Sequence, residues 1–173
     1  MIPIMTTQKN SSGFVVLYAV LIAGMLLSVG LSIFNITLKE TIFATVARDS
    51  NTALYAADSG RECALYWDFK YNGSGGSGTG GLFITNNSST LPVVGEAKCN
   101  EQDIVSLWGT PVTDATSAIT VFRLTFSNNS CAEVSVNKSS ASGNMVTTVV
   151  SRGYNTCSAS YLNRVERALV ATY

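Results

Sequence analysis

Few side chains in this sequence are suited to chemistry. Cys63, Cys99, Cys131 and Cys157 are its only cysteines, and no two of them form a C-x-x-C pair. That spacing supports neither a zinc ribbon nor a thioredoxin-like redox site. Histidine is absent altogether, which removes the Ser-His-Asp and Cys-His nucleophile pairs and the commonest zinc ligand. Asp58, Arg61 and Glu62 fall close together on a helical segment, but a guanidinium between two carboxylates reads as solvated ion pairing rather than an acid–base set. Arg164, Glu166 and Arg167 read as strand-surface charges, and Asp114 and Glu133 stand alone. The run Asn72-Gly-Ser-Gly-Gly-Ser-Gly-Thr-Gly-Gly81 lacks the Gly-Lys-Ser/Thr ending of a phosphate loop and opens no helix, so a flexible connector is expected. No catalytic, metal or cofactor site is expected, and the chain does not read as an enzyme.

The cysteines make better sense as cross-links. Four cysteines allow three pairings. Cys63–Cys99 would tie the end of a helix to the loop after the glycine run, and Cys131–Cys157 would close the last hairpin. If Asn137 faces Val146, Cys131 faces Arg152, and Cys157 has to return through Gly153-Tyr-Asn-Thr156. The alternative is four separately buried thiols. Disulfides imply an oxidising, extracytoplasmic setting.

The elements that position these residues follow from composition. Of the 173 residues, 11 are Lys or Arg and 11 are Asp or Glu, so the formal charge is zero. A chain without net positive charge lacks the electrostatic footprint of a nucleic-acid binder, and no nucleic-acid partner is expected. No charge occurs between Lys9 and Lys39. Within that gap, Phe14 to Phe34 is almost wholly apolar and would make a helix of roughly 31 Å, enough to cross a hydrocarbon core of about 30 Å. A cleaved secretory signal would normally be shorter and would end in small residues. Apolar residues then recur at Leu38, Ile42, Val46, Ala53, Ala57, Ala64 and Trp67, at spacings of three, four and seven, and no proline occurs between Pro3 and Pro92. This predicts one helix from about Phe14 to Trp67, its first half (residues 14–36) spanning the membrane and its second (37–71) an amphipathic stalk. Lys9 before the span and Lys39 and Arg48 after it leave the orientation undecided by charge; the cysteines place the downstream part outside the cytoplasm.

The N-terminal residues also carry a resemblance. A short polar leader (residues 1–13) ending in Gly13, then Phe14, an apolar stretch and a long amphipathic helix resembles the type IV pilins and type II secretion pseudopilins. The runs Ser-Ser-Gly-Phe-Val-Val-Leu-Tyr and Tyr55-Ala-Ala-Asp-Ser-Gly-Arg-Glu-Cys-Ala64 are most similar to minor pilus-assembly proteins. The resemblance implies that a prepilin peptidase cuts between Gly13 and Phe14 and methylates the new terminus. It also implies an inner-membrane subunit with an extracytoplasmic head, whose partners are other pilin or pseudopilin subunits. The disulfide-bounded C-terminal region of pilins is similar to the Cys131–Cys157 arrangement. One position departs from the pattern: the glutamate that major pilins carry five residues into the mature chain is Tyr18 here. Such a carboxylate would neutralise a neighbouring subunit's N-terminal ammonium in an apolar filament core, where an unpaired charge is costly. Its absence implies a low-copy or tip subunit. The alternative is a binding module on an uncleaved single-pass anchor that joins no filament.

After the glycine linker (residues 72–81) the period changes to two. Residues 118–126 alternate with Phe122, Leu124 and Phe126 on one face; Ala132, Val134 and Val136 alternate with Glu133, Ser135 and Asn137; residues 145–152 and 164–173 alternate again. The fold expected is α+β, a long N-terminal helix packed on an antiparallel head of about four strands over residues 82–173.

Overall fold

The computed structural model describes residues 12–71, 81–85, 91–141 and 144–173. Its first element, α1 (Ser12–Lys70), is a single α-helix of 59 residues. Tyr71 N–H closes its last turn on Trp67 O at 3.2 Å, and glycine-rich sequence, the poorest helix former after proline, follows at once. Two short strands, β1 (Lys98–Cys99) and β2 (Gln102–Asp103), form a small hairpin. A five-stranded antiparallel sheet follows from β3 (Val112–Thr113), β4 (Ser117–Thr125), β5 (Cys131–Ala141), β6 (Asn144–Tyr154) and β7 (Glu166–Thr172), in that spatial order. The architecture is α+β, as the periodicities require. The sheet has one strand more than expected, because Val112 and Thr113 pair with Ile119 and Ala118 in a stretch too short to show alternation.

The chain forms two compact units, Met1–Val46 and Ala47–Tyr173. In the first, the described apolar side chains of α1, from Phe14 through Val46, are exposed. In the second, α1 buries a face of small residues: Ala53, Ala56, Ala57, Gly60, Cys63 and Ala64. The expected stripe is therefore correct only from Ala53 onward. Leu38, Ile42 and Val46 lie in the first unit and are exposed, and Trp67 is half-buried.

Small residues line this face because the sheet comes very close to it. A Cβ at Gly153 would stand 2.0 Å from Ala53 O and 2.3 Å from Ala57 N. At Gly60 a Cβ would meet Ser151 Oγ at 2.6 Å, Val134 Cγ2 at 2.8 Å and Ala132 Cβ at 2.9 Å. Alternate residues of the three long strands complete this inner face: Ala118, Thr120, Phe122 and Leu124; Ala132, Val134, Val136 and Lys138; Thr147, Val149, Ser151 and Gly153, all buried. The other set, including Arg123, Glu133, Ser135, Val150 and Arg152, is half-buried or exposed, as expected of an antiparallel sheet with one covered face. Phe126 lies beyond the end of β4 and is half-buried. The rest of the core is an aromatic stack, with Phe83 5.8 Å from Phe122 and 5.7 Å from Trp108, packed against Leu82, Ala97, Ile104 and Leu124.

The β5–β6 register corrects the expected one by two residues. Asn137 faces Thr148, Ser139 faces Val146, and Cys131 faces Tyr154 rather than Arg152. Ala141 lies opposite Asn144, which leaves only Ser142 and Gly143 between the strands. That two-residue connection fixes the register. A shift of two residues keeps every side chain on its predicted face, whereas a shift of one would reverse them all.

Candidate functional site

Three groupings carry what this chain has to offer: the exposed apolar helix, the cysteine pairs and a buried charge cluster. The helix begins at Ser12, so Gly13 and Phe14 lie in its first turns; the rest of the leader, residues 1–11, lies outside the described residues. From Phe14 onward the helix is long and apolar enough to cross a membrane. Tyr18, at the position of the missing glutamate, is an exposed residue on it, between Leu17 and Ala19. The serine and threonine hydroxyls along this stretch are satisfied locally. Ser28 Oγ donates to Met25 O at 2.8 Å, Ser32 Oγ to Ser28 O at 3.0 Å, Thr37 Oγ1 to Ile33 O at 3.0 Å and Thr41 Oγ1 to Thr37 O at 2.9 Å. An apolar solvent would therefore meet no unpaired hydroxyl hydrogen among these four, which removes the main cost of polar groups in such a medium.

Cys63 and Cys99 are joined as a disulfide, with a Cα separation of 6.0 Å, fastening the buried face of α1 to the β1 hairpin. Trp67 Nε1–H reinforces the attachment by donating to Lys98 O at 3.1 Å. Cys131 and Cys157 are close together but not bonded, which corrects the expected second disulfide: both are free thiols. Cys157 N–H donates to Asn129 O at 3.0 Å, and this carries Cys157 back over the end of β5. Arg123 sits against both residues, with Nη2 3.2 Å from Cys131 Sγ and 2.8 Å from the Cys157 carbonyl. Burial, followed by hydrogen bonding to the Cys131 thiol, pushes the Cys157 thiol up to about 11 from its ordinary 9.0. It is thus a poor nucleophile at neutral pH.

The expected surface pairing of Asp58 and Arg61 is present, at 2.6 Å and partly exposed, while Glu62 is exposed. A pair of that kind contributes about 0–1 kcal/mol. Arg164 stacks 3.6 Å over the Tyr154 ring, Arg167 Nε donates to Ser50 Oγ at 2.9 Å, and Glu166 lies 3.7 Å from Arg152 Nε. Asp114 Oδ1 accepts from Ala115 N–H, fixing the β3–β4 turn. The glycine run at residues 72–80 lies outside the described residues.

The sequence reading missed one cluster. Lys138 Nζ lies 2.6 Å from Asp68 Oδ1, both side chains nearly inaccessible at 6% and 4% exposure. Tyr173 O–H donates to Asp68 Oδ2 at 2.7 Å. The cluster joins the end of α1 to β5 and to the residue after β7, and Gly81 abuts it: a Cβ there would stand 2.6 Å from Asp68 Oδ1 and 2.8 Å from Lys138 Nζ. The signal was available. Lys138 continues the inward series Ala132, Val134, Val136, and Asp68 follows Ala57 and Ala64 on the buried helical face, so each implies a buried charge in need of its opposite. Burial, then the bond to Asp68, raises the Tyr173 phenol well above its ordinary value. These distances describe a structural clasp, with all three groups spent on one another.

A search of protein families, curated proteins and solved structures finds no match to this chain.

Proposed function

We propose that this chain is a minor pilin-like structural subunit, held in the inner membrane by its apolar helix and assembled into, or at the tip of, a type IV pilus or type II secretion-like filament. One observation carries the reading. The Gly13–Phe14 junction lies in the first turn of a helix that has no charge before Lys39 and whose described apolar side chains are exposed through Val46. Such a surface can be solvated by lipid or by the same helices of neighbouring subunits, and the self-satisfied hydroxyls suit both media. Tyr18 in place of a carboxylate fits a specialised subunit rather than a bulk building block. The Cys63–Cys99 disulfide favours an extracytoplasmic head. Its role is to prime assembly or to contact other subunits.

The test is mass spectrometry of the N-terminus after expression in a host with prepilin peptidase. A chain starting at methylated Phe14 is expected, and Gly13→Leu should abolish that processing. A chain that retains residues 1–13 refutes the reading and leaves a single-pass anchored binding module.

A further inference from the structure

The zero net charge of the chain conceals an uneven distribution across the sheet. The margin beyond β4 is formed by the segment from Glu96 to Asp114. Gly109 N–H donates to Val121 O at 3.1 Å, Asn100 Nδ2–H to Thr125 O at 3.1 Å, and Thr125 N–H to Gln102 Oε1 at 3.2 Å. This segment carries Glu96, Glu101, Asp103 and Asp114 against Lys98 alone, all exposed except Asp103, which is half-buried. The opposite margin is β7 with the loop before it. There Arg164 and Arg167 stand against Glu166 alone, while Arg152 of the neighbouring β6 lies 3.7 Å from that carboxylate.

The β7 margin is also open. Thr147 and Tyr173 exchange both backbone hydrogen bonds, at 2.8 and 3.0 Å. In an antiparallel ladder the bonded pairs recur at every second residue, so Arg167, Leu169 and Ala171 turn their backbone groups toward β6. Ala168, Val170 and Thr172 therefore direct theirs away from the sheet, and among the described residues no strand pairs with them. Ala168, Val170 and Thr172 are exposed, with no proline or charge from Ala168 to Thr172 to discourage strand addition.

From this placement we propose that the heads of two copies of this chain dock edge to edge, the open basic β7 margin of one against the acidic 96–114 margin of the next. The occupant is a second copy because one chain carries both halves of the complementary pair. An interface between two different surfaces is heterologous and leaves a free margin at each end, so copies extend into a row instead of closing as a dimer. The inference rests on the filament reading for its purpose and specifies a lateral contact between adjacent copies, which a subunit present once at a filament tip would not make. Its test reads head association and not leader processing, so the two can fail separately.

The experiment uses the full chain in an uncharged detergent, followed by sedimentation velocity over a concentration series. At low ionic strength an open series of oligomers is expected, and association should weaken by about tenfold or more at roughly 1 M salt, where the screening length falls to about 3 Å. Arg164→Glu with Arg167→Glu should abolish the series, and so should Glu101→Lys with Asp114→Lys. An equimolar mixture of the two variants should recover it, since each then offers the margin that the other has lost. Recovery requires both variants to be folded; where tryptophan fluorescence shows one is not, the neutral pair Arg164→Gln and Glu101→Gln replaces the reversals, and each should weaken association. A monomeric wild type, oligomers indifferent to salt, or folded variants that still associate alone would each overturn the proposal. So would reversals that abolish association singly and fail to restore it when mixed. If only the β7 reversal matters, the contact is β7 to β7 or to another anionic surface, and the head-to-tail arrangement is wrong.

Discussion

Replacing Gly153 by alanine tests the helix–sheet approach most directly. The added Cβ would stand 2.0 Å from Ala53 O, 2.3 Å from Ala57 N and 2.9 Å from Ala57 Cα, all backbone atoms that cannot rotate away. Ordinary contact begins near 3.4 Å, so α1 and β6 must separate by about 1.4 Å. A gap of 0.5–1 Å already forfeits a quarter to a half of a dispersion contact. The loss is spread over the close-packed face of Ala53, Ala56, Ala57 and Gly60. Overpacking usually costs about 1–3 kcal/mol; with backbone opposing backbone, we expect about 3 kcal/mol or more, a large share of the 5–15 kcal/mol typical of a domain. For a unit of this size that corresponds to a midpoint roughly 10 °C lower. The assay is thermal unfolding of the full chain in detergent by tryptophan fluorescence. Both tryptophans, Trp67 and Trp108, lie in the second unit, so the apolar first unit contributes no signal. Gly60→Ala faces side-chain atoms instead and gains about 1 kcal/mol of helix propensity, so it should cost less. Gly109→Ala, with nothing within 4 Å of its Cβ, should change stability by no more than about 0.5 kcal/mol. A Gly153→Ala protein that melts with the wild type would refute the close approach.

Further expectations follow from the buried groups. Lys138→Met leaves Asp68 buried without its cation and should cost about 3–5 kcal/mol in the same assay, whereas Lys138→Met combined with Asp68→Leu should recover much of that loss. Tyr71, Tyr154 and Tyr173 all have phenols raised above 10.0, each chiefly by burial. The folded state therefore holds these protons more tightly than the unfolded chain, and their contribution is complete below about pH 10 and lost as the pH rises beyond it. Urea midpoints should accordingly fall above pH 10, and Tyr173→Phe should reduce the slope. The Cys157 thiol, pushed up to about 11, should react with iodoacetamide far more slowly at pH 8 than a free cysteine peptide and accelerate as the pH approaches 11. Fast alkylation at pH 8 would contradict the described environment.

Much of the architecture was legible because it depends on local periodicity. The apolar stretch after Gly13 and the alternation along β4, β5 and β6 specify a helix and the two faces of a sheet without reference to any partner. Cys63–Cys99 was legible as one of three pairings, supported by where the helix ends. The β1–β2 hairpin and β3 were not, since two-residue strands contain no repeat to detect. The register of β5 on β6 differs from the expected one by two residues because it depends on where the turn is centred, which is at Ser142-Gly143 and not one residue earlier. Arg123, which lies against both Cys131 and Cys157, looked like any outward strand residue.

The amino-acid sequence by itself determined what each segment prefers as solvent. Twenty or so apolar residues without a charge must find lipid or other helices, and alternating strands must cover one face. Which buried groups meet was decided only by tertiary structure, because it depends on register and on distances that no local pattern encodes. Helix α1 lies so close to β6 that Gly153 admits no side chain; Asp68 reaches Lys138 and Tyr173 across a long sequence separation; Cys131 and Cys157 remain thiols beside Arg123. The same chain closure sorts an overall charge of zero into an acidic and a basic margin, on opposite sides of one sheet.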